Sequence, residues 1–313
     1  MPDEPNARPT LGFIGMGTLG APFATRLLHA GFRLQIYDFD NDAVRYFLME
    51  TGGEVAASPR LLAEACDIAL VMLPRPADVR AATIGREGVV HGFGAGKLLI
   101  DLSASPPAQT REIARELQRA GVAMVDAPPL GGLPELRSGK LVLLVSGADD
   151  AVARAQPVLE TFAARLIRTG PVGSAHAARA LCGQLAALCF LASAETMMVG
   201  RRAGLEPEAL LEALSASAGA NFATETTMGR HVLSRGFSSG LPLDGLLADL
   251  QRALDVAREV DMPAPLSAVA GQIWATARLA LGPGQDHTRL VRWLEQVAKT
   301  ELGGESSQRE TGP

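Results

Sequence analysis

No excess of positive charge, no apolar run of membrane-spanning length and no metal-ligand spacing of cysteines occurs in this 313-residue sequence, and each absence removes a class of function. Lys and Arg number 29 against 34 Asp and Glu, a net charge of −5, so the basic face that non-specific nucleic-acid binding needs is missing. No apolar run approaches the roughly 20 residues of a membrane span. The opening MPDEPNARPT is polar and Pro-rich, without the apolar core of a signal peptide. The three cysteines, Cys66, Cys182 and Cys189, read as reduced thiols of a cytoplasmic chain, and no metal is expected. Cys182 and Cys189 are seven residues apart, share a face if helical, and read as small core residues.

What the chain does have is 47% hydrophobic and 20% charged residues, the composition of a globular protein, and length enough for two domains. Its sharpest local signal is TLGFIGMGTLG, Thr10 to Gly20. A short apolar run leads into Gly15-x-Gly17-x-x-Gly20, a helix-like segment follows, and a second apolar run ends at Asp38. In such a pattern the first glycine permits the strand-to-helix turn, the second admits a pyrophosphate, and the third lets helix pack on strand. The helix N-terminus, with its unpaired N–H groups and dipole, favours the anion. An acid some 20 residues on accepts from a ribose diol. This predicts a dinucleotide site built from Gly15, Met16, Gly17, Thr18, Leu19, Gly20 and Asp38. No Lys or Arg follows Asp38 until Arg45, which favours NAD(H) over the phosphate-bearing NADP(H).

Strand and helix signals alternate from Leu11 to about Arg168. Ile68–Leu73 is an unbroken apolar run, the pattern of a parallel strand covered on both faces, and Lys97–Leu102, with Leu98, Leu99 and Ile100 at its centre, reads as another such strand. After Gly173 no strand is expected. Helices are expected at Ser174–Gly204, Pro207–Ala216, Phe222–Leu233, Leu243–Val260, Ala264–Leu281 and Asp286–Thr300. There is no internal repeat. The fold class is α/β: a doubly wound Rossmann-type sheet domain over 10–172, then an all-α domain over 173–302 that begins with a long interdomain helix. Segments 1–9 and 303–313 are polar and expected to be disordered.

Six segments in this order resemble the β-hydroxyacid dehydrogenases, the family of 3-hydroxyisobutyrate dehydrogenase and tartronate semialdehyde reductase, related to 6-phosphogluconate dehydrogenase. They are Gly15-Met16-Gly17-Thr18-Leu19-Gly20-Ala21-Pro22, Val71-Met72-Leu73-Pro74, Asp101-Leu102-Ser103-Ala104, Asp126-Ala127-Pro128 with Gly131-Gly132 and Gly139, Gly173 to Arg179, and Phe237 to Asp249-Leu250. The resemblance runs from about residue 10 to residue 300. It implies hydride transfer between NAD, or possibly NADP, and a small hydroxy acid or its carbonyl form. It also implies cofactor contacts at Leu73, Pro74 and Ser103, substrate contacts at Ser103, Gly131, Gly132 and position 183, and a homodimer or a tetramer of dimers.

The chain departs from that family where the chemistry is done. The acid/base lysine falls at Arg179 and the asparagine one turn later at Gly183. The substrate serine falls at Leu130, a threonine at Ala104, and the lysine before Asp249 at Ala248. Arginine keeps its proton up to pH ~12, so it orients an anion rather than exchanging protons. His176, three residues earlier on the same helical face, and Lys140 are outside candidates for proton transfer; the plainer reading is helix-entry packing for His176 and an exposed loop for Lys140. Three functions stand at this point: an oxidoreductase with an altered site, a cofactor-binding protein without turnover, and an imine reductase-like enzyme, whose substrate arrives already protonated. Leu130 and Ala104 point to a substrate less hydrophilic than a small hydroxy acid.

Overall fold

The computed structural model describes residues 8–51 and 53–303. The expectation for 1–9 and 303–313 therefore falls, apart from residues 8, 9 and 303, outside the described chain. Two compact units meet between Arg179 and Ala180.

The first unit is a sheet with helices on both faces. Its elements are β1 (Leu11–Ile14), α1 (Gly20–His29), β2 (Leu34–Tyr37), α2 (Asn41–Thr51), β3 (Glu54–Val55), α3 (Pro59–Ala65), β4 (Ile68–Val71), α4 (Pro76–Ile84), β5 (Leu98–Asp101), α5 (Pro107–Arg119) and β6 (Ala123–Asp126). There follow β7 (Pro129–Leu130), α6 (Leu133–Arg137), β8 (Val142–Ser146), α7 (Asp149–Leu159) and β9 (Arg165–Gly170). The order β3-β2-β1-β4-β5-β6 is parallel throughout. Beyond it the strands reverse: β8 runs antiparallel to β6 and β7, and β9 lies parallel to β8. The pairs Asp126↔Ser146, Pro129↔Leu143 and Leu130↔Val142 share one register, so β7 continues the line of β6. The alternation of strand and helix signals in the sequence did not reveal this reversal.

β1, β4 and β5 are buried along their whole length. Successive side chains go to opposite faces of a strand, and here they feed two cores. Leu11 and Phe13 pack with Phe23, Leu27 and Phe162 on one side; Ile14, Val71 and Leu99 pack with Leu62, Val79 and Ile113 on the other. Local chemistry starts the helices. Ser58 Oγ accepts the Leu61 N–H at 3.2 Å ahead of Pro59, and an Asp40 carboxylate oxygen accepts the Asp42 N–H at 2.9 Å.

In the second unit no strand occurs among the described residues. α8 (Ser174–Arg202) crosses the division; α9 (Pro207–Ser215), α10 (Leu243–Glu259), α11 (Pro265–Leu281) and α12 (Leu290–Ala298) follow, around a core of Phe190, Met197, Leu250, Trp274 and Leu290. Residues Ala223–Leu233, expected as an α-helix, form a π-helix. A 3.6-residue apolar pattern over eleven positions does not separate the two windings. α12 starts at 290 rather than 286, because Asp286 first caps a 3-10 turn through the Thr288 N–H.

α8 corrects two expectations. By length and composition it is apolar enough to cross a membrane, which no simple apolar run revealed. Arg179, Gln184 and Glu195 interrupt it, and its Ala187–Phe190–Met197 side is core of the second unit. Cys182, expected in the core, is exposed, and Cys189 is half-buried; only Cys66 is buried.

Candidate functional site

The three fingerprint glycines sit in three different surroundings. Gly15 has φ +111°, and a Cβ there would lie 2.1 Å from the Met72 carbonyl oxygen. A Cβ on Gly20 would lie 1.9 Å from the Gly15 carbonyl oxygen. Neither position admits a side chain. Gly17 has nothing within 4 Å of its missing Cβ. This open position precedes α1, whose N-terminus no side chain caps and whose first turn holds no acid. Open backbone at an uncapped N-terminus is what a pyrophosphate requires.

Asp38, at the end of β2, does more than the sequence indicated. One carboxylate oxygen accepts the Met16 N–H and the other accepts the Asp40 N–H at 2.9 Å. The carboxylate thus sets the glycine turn and the entry to α2, and its remaining lone pairs can still accept from a ribose diol. Met16, Gly17 and Thr18 line a cavity of about 750 Å3 together with Asp40, Asp42 and Tyr46.

Ser103 is 4% exposed. Its Oγ accepts the Leu73 N–H at 3.1 Å and faces the Val71 carbonyl at 3.4 Å. The hydroxyl that the sequence assigned to ligands therefore joins the turns after β4 and β5. Leu73 is buried, while Pro74 and Ala104 are exposed. Gly131 has φ +115°. The Gly132 N–H, expected to face substrate, is donated to Glu135 Oε2 at 2.8 Å. Leu130 is half-buried on β7, and Lys140 is exposed in the loop before β8.

His176 is 1% exposed, in the first turn of α8. Its Nε2 lies 2.9 Å from the Ser103 carbonyl oxygen and its Nδ1 2.7 Å from Thr110 Oγ1. Both ring nitrogens are thereby engaged inside the protein, the arrangement that the plainer reading of His176, packing at the helix entry, calls for. Arg179 follows three residues later, half-buried.

In the second unit, a Cβ on Gly183 would lie 2.4 Å from Asp249 Oδ2. The Asp249 carboxylate, buried and 2.9 Å from Arg252 Nη1, occupies the space that any side chain at 183 would need. Position 183 therefore offers a ligand no side chain, and what stands against it is Asp249. No group of three or more His, Cys, Asp or Glu fit to hold a metal occurs among the described residues.

Residues 10–170 match the NAD-binding domain of 6-phosphogluconate dehydrogenase. Residues 173–294 match the family described as the NAD-binding domain of NADP-dependent 3-hydroxyisobutyrate dehydrogenase. The mitochondrial 3-hydroxyisobutyrate dehydrogenase of Mus musculus is 33% identical, over 84% of this chain and 80% of its own length. L-threonate dehydrogenase of Cupriavidus necator is 31% identical, over 90% and 95%. The structure of Mycobacterium tuberculosis 3-hydroxyisobutyrate dehydrogenase with L-serine superimposes with a TM-score of 0.85 at 25% identity, covering 92% of this chain and 99% of that one.

Proposed function

Because the chain belongs to the β-hydroxyacid dehydrogenase family, NAD(P)-dependent oxidoreductases of small hydroxy acids, we propose that it moves a hydride between NAD(H) and a small anionic substrate less hydrophilic than those of its relatives. The observation that carries this is the glycine turn: Gly15 and Gly20 closed, Gly17 open, and Asp38 holding the loop from below. Gly15 to Gly20, Leu73 and Pro74 would hold the cofactor, which supplies or receives the hydride. Asp38 favours the free 2′-hydroxyl of NAD and repels a 2′-phosphate.

On the substrate side Arg179 takes the place of the family's lysine. In oxidation the substrate C–H bond breaks with its hydride leaving, the O–H proton departs and a C=O bond forms. Arg179 orients the carboxylate or polarises the oxygen, and the proton leaves through water, since a guanidinium keeps its own protons up to pH ~12. Ala104 and Leu130 favour an apolar substituent on the substrate. The polar backbone at Gly131 serves the anion, while Gly132 is committed to Glu135.

A cofactor titration and a turnover panel test this reading. Calorimetry should show tighter NADH than NADPH binding. Oxidation of 3-hydroxyisobutyrate, L-threonate and glycerate should be slow, and that of 3-hydroxy acids with longer apolar substituents faster. Brisk oxidation of the small acids with a bell-shaped pH profile near neutrality would overturn the assignment of Arg179. A cyclic-imine panel run alongside separates C=N reduction, and silence on every substrate leaves a binding protein.

The same reading places the chain in the cytoplasm as a homodimer or a tetramer of dimers. Leu181, Leu185 and Val199 form an exposed stripe on α8, with Leu185 63% exposed, and Leu266, Val269 and Leu279 are exposed on α11. Apolar stripes of this kind support pairing. A monomeric mass by light scattering at micromolar concentration would refute it.

A further inference from the structure

The first turn of α8 is held by an unusual density of buried polar groups. Asp126, at the carboxyl end of β6, is 0% exposed. Its Oδ1 accepts the Gly173 N–H at 2.8 Å and its Oδ2 accepts the His176 N–H at 3.0 Å. Ser146, ending β8, donates its hydroxyl to the Asp126 carboxylate and accepts the Ala175 N–H at 3.1 Å. Three N–H groups around the start of the helix, which would otherwise lack partners, are thus satisfied by two adjacent strand ends. The buried carboxylate also faces the positive end of the helix dipole.

The His176 ring adds a second set of ties. A carbonyl oxygen only accepts, so Nε2 carries the proton toward Ser103, an assignment that follows from the hydrogen-bond network. In the neutral ring Nδ1 then accepts from the Thr110 hydroxyl, in the first turn of α5. Ser103 is fixed in turn: its N–H is donated to Asp101 Oδ1 at 2.8 Å, and its Oγ holds the Leu73 N–H. Ser105 closes the turn by donating to Asp101 Oδ2 at 2.9 Å. The chain of contacts runs Leu73–Ser103–His176–α8, and Arg179 stands three residues, most of one turn, beyond His176.

We propose that Asp126 and His176 are positioning residues: they lock the rotation and height of the first turn of α8 against the turns after β4 and β5, and so fix where the side chain of residue 179 begins. The proposal rests on the reading of Arg179 as a substrate-orienting group. Packing alone would need neither two buried acids nor a histidine bonded through both nitrogens. An apolar side chain at 176 would fill the same space, but it would take the ring N–H from the buried Ser103 carbonyl and leave the Thr110 hydroxyl only the Pro106 carbonyl of its own helix, at 3.2 Å, cutting the tie between α5 and α8.

Hydrogen exchange on the full chain, with His176→Ala, His176→Gln, Thr110→Val and Asp126→Asn, tests the clamp, because α8 contains its own control. Exchange over residues 172–180 should speed by about tenfold in His176→Ala and Asp126→Asn, while residues 190–202 of the same helix keep their protection. His176→Gln, whose carboxamide can still donate to Ser103, should recover part of the loss, and Thr110→Val should give a smaller loss. Nitrogen-detected spectra of the wild-type ring should show the Nε2–H tautomer. For any substrate that is turned over, kcat should fall about tenfold in His176→Ala with the KM for NAD unchanged. Equal loss of protection along the whole helix, an unprotonated Nε2, or a KM effect in place of a kcat effect would overturn the proposal. Local loss of protection with no turnover on any panel would keep the clamp and remove the proposed reaction; turnover with uniform exchange would do the reverse.

Discussion

In the first unit the glycine turn offers a ligand main-chain atoms whose places are set by neighbouring backbone, whereas in the second the position assigned to substrate, Gly183, is closed by a side chain. Gly15, Gly17 and Gly20 are set by backbone geometry: a carbonyl oxygen 2.1 Å from one missing Cβ, another 1.9 Å from the second, and open space at the third. Gly15 and Gly20 therefore accept no side chain, while Gly17 is free to take one as far as the fold is concerned. In the second unit a glycine stands at 183 and an alanine at 248, and the carboxylate of Asp249 has taken the room.

The strongest way to break this contrast is to substitute the glycines one at a time. Gly20→Ala drives a methyl group into a backbone carbonyl that cannot move without unmaking the turn. The expected cost is about 3 kcal/mol, the upper range of overpacking, with loss of measurable NADH binding. Gly17→Ala meets no atom, so the melting temperature should stay put while NADH affinity drops by about tenfold or more, because the methyl stands where the pyrophosphate would come. Thermal scans and NADH fluorescence titrations on both variants check this. A Gly17→Ala protein that binds normally would show that the turn serves packing alone.

Next in size is position 183. Gly183→Asn would restore the residue of the resembling family, yet its Cβ would lie 2.4 Å from Asp249 Oδ2. We expect Gly183→Ala and Gly183→Asn to cost about 1–3 kcal/mol. Asp249→Ser also costs stability, since it leaves Arg252 without its close carboxylate. The double variant Gly183→Asn, Asp249→Ser should nevertheless be no less stable than Asp249→Ser alone, a coupling of about 1–2 kcal/mol in a double-mutant cycle. Additive losses would mean that Asp249 gives way readily and that the niche is not specific.

How much of this was legible beforehand follows the same division. The strand runs 11–14, 68–71 and 98–100 announce themselves because a parallel strand buried on both faces reads as a near-continuous apolar stretch. Ser58 and the Gly15-to-Gly20 spacing are local chemistry, readable within a few residues. The contacts that finish the site are long-range. Asp38 to Met16 spans 22 residues, His176 to Ser103 spans 73, and nothing near Ser103 in sequence shows that its hydroxyl belongs to Leu73. The reversal of β8 was hidden for a related reason: direction within a sheet depends on the connection and leaves no mark on a five-residue apolar strand.

Acid should separate the helical unit's stability from its value at neutral pH through one small cluster. Burial holds the His287 imidazole below its ordinary value, against the pull of the neighbouring Asp286. Burial alone would raise Asp286, but donors from Thr288, Ser239 and Gly240 outweigh it and hold the carboxyl low. Both folded values lie below the unfolded ones, near 6.5 and 3.9, so the unfolded chain binds more protons and stability rises with pH and is lost on acidification. The His287 contribution is complete above about pH 6.5 and is lost as pH falls through the folded value; that of Asp286 is lost only below about pH 3.9. Between pH 7.5 and 5.5 the melting temperature should drop by about 2–4 °C, and His287→Gln should flatten the profile. An unchanged profile in His287→Gln would assign the drop to other groups.

The smallest effect is chemical, and it compares one thiol from each unit. Cys66 lies buried under the first unit's sheet, and burial pushes its thiol up to about 12 against the opposing pull of Lys97. At pH 8 almost none of it is thiolate, and iodoacetamide should leave it untouched until the domain unfolds. Cys182 is exposed on α8 beside Leu181 and Leu185, the stripe that the proposed assembly would cover. Its alkylation, followed by mass spectrometry, should be fast in dilute protein and slow by about tenfold once the protein is concentrated enough to pair. Cys66 should stay silent at both concentrations, which makes it the internal control for unfolding. A Cys182 rate that does not depend on concentration, in protein shown to be dimeric by light scattering, would move the interface off this face of α8 and leave α11 to carry it.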